Sequence, residues 1–332
     1  MSKPTIRPRR WTPPPAAPGP QLPPGLPPMR VVDVPGYGTE DVLVDDRGRV
    51  LTGTEDGRIL RLGDDGVETV AMTGGRPLGL EHAPDGSLVV CDARRGLLRV
   101  DPGTETVEVL VDEVAGARMR FCNNAAVAAD GTIYFTDSSR HFGIDDWKAD
   151  LLEHGSTGRL LRRSPQGEID VLLHGQAFAN GVALAADESF VAIAETGAYA
   201  LQRLWLTGAR AGEHEPFVES LPGFPDNIST GSDGLIWVSL ASPRDPVLDF
   251  LLPRPPLLRR IVWALPERLQ PRPARTVRVQ AYDATGTLVH DLNGEHDDFH
   301  MVTGVREHEG TVWVGSLHEA KVAAIGPLPP GP

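Results

Sequence analysis

Four oxygen-bearing residues stand at equivalent points of a repeated sequence frame, each eight positions before a turn: Glu40, Asn123, Asn180 and Asp226. Two carboxylates and two neutral amide oxygens suit Ca²⁺, which accepts such oxygen ligands in flexible geometry. No Cys or His falls at this level, which disfavours Zn²⁺ as the preferred metal. Without a cation, Glu40 and Asp226 would repel one another and the pKa of one carboxyl would rise.

The frame is a short, mostly apolar run followed by a tight turn and an apolar strand. Its six copies read EDVLVDDRGRVLTG, LGLEHAPDGSLVVC, NNAAVAADGTIYFT, NGVALAADESFVAI, DNISTGSDGLIWVS and VTGVREHEGTVWVG. Glycine supplies the positive φ of the turn in five copies, and Glu188 is the exception. The turns are 38, 45, 57, 46 and 76 residues apart. Units of about 40–50 residues with several short strands are typical of propeller blades, so we predict an all-β, six-bladed β-propeller.

The same phase puts the apolar residues Leu78 and Val302 at the two remaining strand heads. Asn and Asp favour strand-entry turns for local reasons, so each residue taken singly could have only a turn role. Four of them in phase favour a shared site on the propeller axis.

The chain is divided into a Pro-rich N-terminal arm at residues 1–30 and the propeller at 31–332. The proline density of the arm predicts an extended, polyproline-like segment rather than a packed element. The segment MRVVDVPG that follows is predicted to pair with the last blade and close the ring. No apolar stretch has the length of a signal peptide or a membrane span, so we expect a cytoplasmic location.

Composition limits the partners. The net charge of -13 argues against nucleic acid, because phosphate binding requires a basic face. Cys91 and Cys122 are too few for a disulfide framework and are predicted to be small buried residues.

An amphipathic helical insert is predicted at residues 244–275, in the last blade region, where the turn spacing is longest. Its apolar residues recur at helical spacing and are followed by Pro266: Leu257, Leu258, Ile261, Val262 and Leu265. Residues 244–278 contain eight Arg and three acidic residues. Such a basic helix could form a lid over the channel, a dimer contact, a peripheral membrane contact or a plain packing insert.

Three segments carry a family resemblance: RFCNNAAVAADGTIYFTDSS, FANGVALAADESFVAIAET and LPGFPDNISTGSDGLIWVSL. They resemble the six-bladed propellers of the senescence marker protein/gluconolactonase, paraoxonase and strictosidine-synthase-like group, and most of all its strictosidine-synthase-like branch. The resemblance spans about residues 36–326 and is looser in the first two blades. It implies an axial cation held by Glu40, Asn123, Asn180 and Asp226. Ca²⁺ is the preferred cation, and Zn²⁺, Mn²⁺ and Mg²⁺ are the alternatives.

The sequence also departs from these relatives. The Asn-Asp pair of the family is Asn123-Asn124 here, so an amide replaces a carboxylate. Leu78 stands where paraoxonase-like enzymes have a catalytic His. Thr303 stands where strictosidine synthase has its catalytic Glu, so we do not expect the amine–aldehyde condensation of that enzyme.

The resemblance implies a metal-dependent hydrolase of lactones or small esters. Asp226 is the candidate ligand and general base, Asn227 a candidate hydrogen-bond donor to substrate, and His300 a candidate proton relay at the channel mouth. The main alternative is a non-catalytic Ca²⁺-containing binding or scaffold protein, with a membrane surface as one site of action, and an isomerase or lyase using the same cation is a third.

Overall fold

Each copy of the sequence frame folds into the two innermost strands of a four-stranded antiparallel sheet, and six such sheets surround an axis. The predicted six-bladed β-propeller is therefore confirmed. The computed structural model describes residues 3–16, 25–270 and 273–328. Residues 17–24 of the predicted arm and residues 271 and 272 of the predicted insert lie outside this part of the chain.

The strands are numbered along the chain, and the first, β1, spans Met29–Asp33. Blade 1 comprises β2 (Val42–Val44), β3 (Val50–Gly53), β4 (Arg58–Gly63) and β5 (Gly66–Met72). Blade 2 comprises β6 (Pro77–His82), β7 (Leu88–Asp92), β8 (Gly96–Asp101) and β9 (Thr106–Val111). A hairpin of β10 (Glu113–Val114) and β11 (Ala117–Arg118) follows. Blade 3 comprises β12 (Cys122–Val127), β13 (Ile133–Asp137), β14 (Gly158–Arg163) and β15 (Ile169–Gln176).

Blade 4 comprises β16 (Ala179–Leu184), β17 (Phe190–Glu195), β18 (Ala200–Trp205) and β19 (His214–Val218). Blade 5 comprises β20 (Gly223–Thr230), β21 (Ile236–Pro243), β22 (Val277–Tyr282) and β23 (Leu288–Gly294). Blade 6 comprises β24 (Val302–His308), β25 (Thr311–Ser316), β26 (Lys321–Ile325) and, as its outermost strand, β1. The pairing of Met29 with Ile325 closes the ring as predicted.

In the described part of the chain, three short α-helices lie outside the sheets. Helix α1 (Trp147–Glu153) joins β13 to β14, and α2 (Pro246–Leu251) and α3 (Pro256–Ala264) join β21 to β22. Single 3₁₀ turns span Ile144–Asp146, Thr196–Ala198, Gly208–Arg210 and Glu267–Leu269. Within the described ranges, no helix is long and apolar enough to cross a bilayer.

The helical insert belongs to blade 5 and not to the last blade, which corrects the sequence analysis. The turn at Gly234 joins the first two strands of blade 5, so the long spacing to Gly310 includes the rest of that blade. Asp245 starts the insert by accepting hydrogen bonds from the backbone N–H groups of Val247 (2.7 Å) and Leu248 (3.1 Å). Pro266 follows the end of α3, as predicted.

Apolar clusters fill the interfaces between neighbouring blades. Leu51 and Ile59 of blade 1, for example, pack with Val90 of blade 2 in one fully buried cluster. Cys91 and Cys122 are free, buried thiols between blades 2 and 3, which confirms the prediction for both. Burial of this kind stabilises by about 25 cal/mol per Å² of apolar surface, so the ring holds its axial strand ends in fixed positions.

Residues 3–16 of the N-terminal arm form no helix or strand, and they are packed against the propeller, whereas the sequence predicted no packed element there. Ile6 is fully buried against Phe142, Ala149 and Trp263. The backbone N–H of Arg9 donates to the carbonyl of Glu153 at 2.8 Å. The arm therefore ties α1 to α3, and its backbone pairs with a carbonyl at the end of α1 that lacks a donor within the helix.

Helix α3 buries Arg259 and exposes several of its apolar residues. Arg259 is fully buried and donates to the carbonyls of Leu152 (2.8 Å) and Arg9. In contrast, Leu257 is 61% exposed and Ile261 is 53% exposed. The buried guanidinium satisfies carbonyls at the end of α1, where helices lack backbone donors, and this requirement sets the orientation of α3.

We expect His154 to make the protein less stable as the pH falls from about 6.5 to 4. The ring is buried at the end of α1, stacked on Trp11 at 4.4 Å, and burial lowers its pKa to about 4. Between these pH values the unfolded chain binds a proton at His154 that the folded protein does not bind. This difference lowers the free energy of unfolding by up to about 3 kcal/mol at pH 4.

The measurement is the free energy of unfolding in urea at pH 4.5 and pH 7. His154→Asn should flatten the pH dependence between these values, and the same change at the exposed His174 should not. Equal pH dependence in all three proteins would contradict the prediction.

Candidate metal centre

A one-residue β-bulge interrupts the innermost strand pair in blades 2 to 6. In blade 3, Cys122 pairs with Asp137 while Ala125 pairs with Phe135, so Asn123 and Asn124 together occupy one step of the ladder. The same shift occurs at residues 77–80, 179–182, 225–228 and 302–305. A bulge re-aims side chains, and it gives each blade two consecutive residues at the axis.

The first residues of these pairs, together with Glu40 of blade 1, line the inner end of one pocket: Glu40, Leu78, Asn123, Asn180, Asp226 and Thr303. The structure thus brings the four predicted ligands together. The sixth position is Thr303 and not Val302, which corrects the sequence analysis. Blade 6 turns through the two residues Glu309 and Gly310, both with positive φ. The corresponding turns of blades 1, 2, 3 and 5 contain one residue more, so counting back eight positions from Gly310 misplaces the axial residue of blade 6 by one.

The amide groups of both asparagines are oriented by hydroxyls of the adjacent strand ends. Asn123 Nδ2 donates to Ser138 Oγ at 2.9 Å, and Asn180 Nδ2 donates to Thr196 Oγ1 at 3.0 Å. Asn123 Oδ1 and Asn180 Oδ1 are then buried without a hydrogen-bond partner. Such an oxygen costs about 1–3 kcal/mol unless it is satisfied, so both are ready to accept a ligand.

The two carboxyl groups are also held in an environment that disfavours a bare negative charge. Burial, and then the charges of Asp226 and Asp41, raise the pKa of Glu40 well above its usual value. Burial raises the pKa of Asp226 to about 7, against a hydrogen bond from Asn180 that lowers it. A positive charge between these groups would reverse both shifts.

These observations fit a divalent cation with oxygen ligands. Glu40, Asp226, Asn123 and Asn180 are the residues that would hold it, because two of them supply charge and two supply unpartnered neutral oxygens. Among the residues that the structure describes, no three His, Cys, Asp or Glu side chains form a metal-binding group. The amide oxygens are therefore essential to the set, and amide oxygens suit Ca²⁺ better than Zn²⁺.

The second residues of the pairs form another ring one position further along the strands: Asp41, Gly79, Asn124, Gly181, Asn227 and Gly304. Glycine alternates with a polar residue around this ring. A Cβ on Gly181 would lie 2.2 Å from the backbone N of Ile228, and one on Gly79 would lie 2.6 Å from the Cα of Asn124. The glycines therefore leave the axis to the three polar side chains, which we call the lower ring.

The lower ring supports the candidate ligands from beneath. Asn227 Nδ2 donates to both carboxylate oxygens of Glu40 at 3.2 Å. Asn124 Nδ2 lies 3.4 Å from Asp41 Oδ2, which also accepts the backbone N–H of Leu80 at 3.0 Å. The structure thus gives Asn227 a contact with Glu40, whereas the sequence analysis assigned it to substrate.

The sequence analysis missed Asp41 and Asn124 as members of the site. Glycine alternates with a polar residue directly after the axial position of each blade, once the sixth frame is shifted by one residue, and this alternation is the signal that would have found them.

His300 lies apart from this constellation. Its Nδ1 is 2.5 Å from Glu319 Oε1 and its ring is 6.2 Å from that of His318. Met301 and Thr303 line the pocket, and His300 is not among the described residues that do so. No direct contact between His300 and the candidate ligands therefore supports its predicted role as a proton relay, which stays a prediction.

The walls of the pocket are largely apolar, and its cavity volume is about 150 Å³. Phe121, Phe178 and Phe224 surround the inner end. Side chains of all three helices form the outer part: Trp147 and Leu151 of α1, Val247, Leu248 and Leu251 of α2, and Val262 of α3. The insert thus covers the pocket from one side. The pocket has a polar floor, formed by the candidate ligands, and apolar walls above it.

Comparisons with known proteins agree with this architecture. The strictosidine synthase family model matches residues 123–209, and the strictosidine synthase-like N-terminal model matches residues 27–62. The chain is 34% identical over 303 residues to the adipocyte plasma membrane-associated protein of Rattus norvegicus, covering 83% of this chain and 80% of that protein. It is 34% identical over 327 residues to protein strictosidine synthase-like 10 of Arabidopsis thaliana, covering 88% and 86%.

Two solved structures share the fold at low identity. A gluconolactonase from Xanthomonas campestris superposes with a TM-score of 0.64 at 17% identity, covering 100% of this chain and 99% of that one. A calcium-binding regucalcin from Agrobacterium tumefaciens superposes with a TM-score of 0.64 at 15% identity, covering 92% and 96%. The sequence relatives and the shared propeller together show that this chain belongs to the strictosidine synthase-like family of six-bladed propellers.

Proposed function

We propose that the protein is a metal-dependent hydrolase of lactones or related small esters with an apolar body, with Ca²⁺ as the preferred cation. The observation that carries this proposal is the floor of the pocket. The carboxyl groups of buried Glu40 and half-buried Asp226 converge there with two unpartnered amide oxygens, at the end of a chamber whose walls are largely apolar. A bound divalent cation supplies Lewis acidity, which polarises a carbonyl and stabilises the developing oxyanion.

The residues of the chain supply binding and proton transfer. The apolar walls bind the body of the ester and exclude water from the floor. Asp226 accepts a proton from water as the water oxygen bonds to the carbonyl carbon. The C–O bond of the lactone then breaks, and the leaving oxygen takes the proton. Asn227 acts as a positioning residue through Glu40.

The test is hydrolysis of a panel of aliphatic lactones, sugar lactones and aryl esters by protein stripped with a chelator, with and without added Ca²⁺. Turnover that returns with Ca²⁺ and favours the more apolar substrates would support the proposal. Absence of turnover with every metal and substrate, in protein shown by calorimetry to bind Ca²⁺ and remain folded, would overturn it.

A second candidate is a non-catalytic Ca²⁺-containing binding protein that docks on a membrane surface. The observation favouring it is an exposed apolar face on the insert, formed by Val247, Phe250, Leu257, Leu258, Ile261 and Leu269. Arg260 and Arg268 of the same insert are also exposed, in an otherwise acidic protein, which suits an anionic lipid surface. The name of the rat relative also places that protein at the plasma membrane. The predicted cytoplasmic location stays a prediction.

We expect the double change Leu257→Gln and Ile261→Gln to weaken binding to phosphatidylserine-containing vesicles about tenfold or more, because each buried aliphatic side chain contributes about 1.5 kcal/mol or more. Vesicle sedimentation measures the effect. The matched control, Met72→Gln with Val109→Gln, changes exposed apolar residues in blades 1 and 2 and should have little effect. Equal binding by all three proteins would contradict the membrane role, and a shift from dimer to monomer in ultracentrifugation would assign the face to self-association.

A further inference from the structure

A second cavity, of about 660 Å³, lies beside blades 2 and 3 and is lined by arginine. The turn after β7, the segment following the β10–β11 hairpin, and the loop between β13 and α1 contribute its walls. We call it the arginine cavity and define it by Arg94, Arg118, Arg120, Arg140 and Arg159. Five arginines at one place are unexpected in a chain with a net charge of -13, since such charges repel unless something compensates them.

The carboxylates around the arginine cavity compensate only part of this charge. Arg94 Nη2 lies 3.1 Å from Asp145 Oδ1, and Arg159 Nη2 lies 2.5 Å from Asp137 Oδ2. For Arg118, Arg120 and Arg140, the described part of the chain offers no carboxylate at ion-pairing distance. His141, which also lines the cavity, is paired with Glu153 at 3.0 Å. Three positive charges therefore remain over one cavity.

A buried donor provides an independent indication of a ligand. Arg159 is only 5% exposed, and its Nε has no hydrogen-bond partner even though Nη2 is paired with Asp137. A buried charged donor left unsatisfied is costly. Arg118 Nη2 donates to the carbonyl of Arg94 at 3.2 Å, which holds the hairpin against the turn after β7. Arg94, Arg118 and Arg159 are thus held in place by the fold before any ligand arrives.

The chemistry of these donors selects the ligand. Guanidinium groups bind no metal cation, but their planar forks match the oxygens of phosphate in pairs. Three uncompensated charges suit more than one phosphate group, and the volume is that of a small-molecule site. We propose that the arginine cavity binds a polyanion with two or more phosphate groups, either a free phosphorylated small molecule or the headgroup of a phosphoinositide. This proposal does not depend on the hydrolase proposal.

The test compares three probes on the full chain at low ionic strength. Calorimetry measures the binding of inorganic pyrophosphate and of inositol 1,4,5-trisphosphate, and sedimentation measures binding to phosphatidylcholine vesicles with and without phosphatidylinositol 4,5-bisphosphate. The double change Arg120→Gln with Arg140→Gln should weaken binding of the soluble probes at least about tenfold. Both residues are exposed, so the fold should be preserved.

The matched control is Arg30→Gln with Arg47→Gln, which removes the same charge from exposed positions in blades 6 and 1. Binding of the soluble probes that is lost in the test variant and kept in the control supports the site. Vesicle binding with the same dependence identifies a lipid headgroup, and its absence identifies a free phosphorylated molecule. No saturable binding of either soluble probe, or equal losses in test and control variants, would overturn the proposal.

Discussion

Replacing Asp226 with asparagine is expected to weaken Ca²⁺ binding at least about 100-fold and to lower hydrolysis by about three orders of magnitude. The change preserves the size of the side chain and removes one of the two carboxyl groups at the pocket floor. It also removes the proposed proton acceptor. Calorimetric titration of Ca²⁺ and initial rates on the best substrate of the panel measure the two effects separately.

The control is Asp65→Asn, which makes the same chemical change at an exposed turn of blade 1. It should leave both quantities within about twofold of the unchanged protein. An Asp226→Asn protein that keeps its Ca²⁺ affinity would remove this residue from the metal site. One that loses Ca²⁺ but keeps its activity would separate the metal from the reaction and contradict the hydrolase proposal.

Replacing Gly181 with alanine is expected to destabilise the protein by about 3 kcal/mol or more, because the added Cβ overpacks the axis. It would lie 2.2 Å from the backbone N of Ile228 and 2.7 Å from the Cα of Asn227. Both are backbone atoms of β20, so no side-chain rotation relieves the clash. The measurement is the free energy of unfolding in urea, monitored by tryptophan fluorescence.

Gly103→Ala is the control. Its Cβ would lie 3.3 Å from the side-chain oxygen Asp101 Oδ1 at an exposed turn, so the change should alter stability by no more than about 0.5 kcal/mol. A Gly181→Ala protein as stable as the control would show that the lower ring can widen, and the close packing inferred for the axis would be wrong.

The sequence predicted the ring and most of its floor because both depend on local periodicity. Apolar runs around a glycine turn mark the two innermost strands, and a constant offset from that turn finds Glu40, Asn123, Asn180 and Asp226. The offset failed at Val302 because a turn can lose one residue without changing its glycine, and Thr303 then takes the axial place.

Features that depend on distant contacts were beyond the sequence. Proline density predicted that the N-terminal arm would contain no packed element, but Ile6 is buried against Phe142 and Trp263, which are far along the chain. The helical period of α3 was clear from its apolar residues. Its orientation was not, because Arg259 is drawn inward by carbonyls of α1 and of the arm.

The lower ring also determines how a small molecule can enter and leave the central channel. Because Asp41, Asn124 and Asn227 fill the axis beneath the floor, the central channel is a blind chamber rather than a pore. Whatever enters past α1, α2 and α3 must leave by the same route. In the proposed hydrolase, substrate and product would share one entrance. Slow release of an apolar product would then limit turnover even where bond breaking is fast.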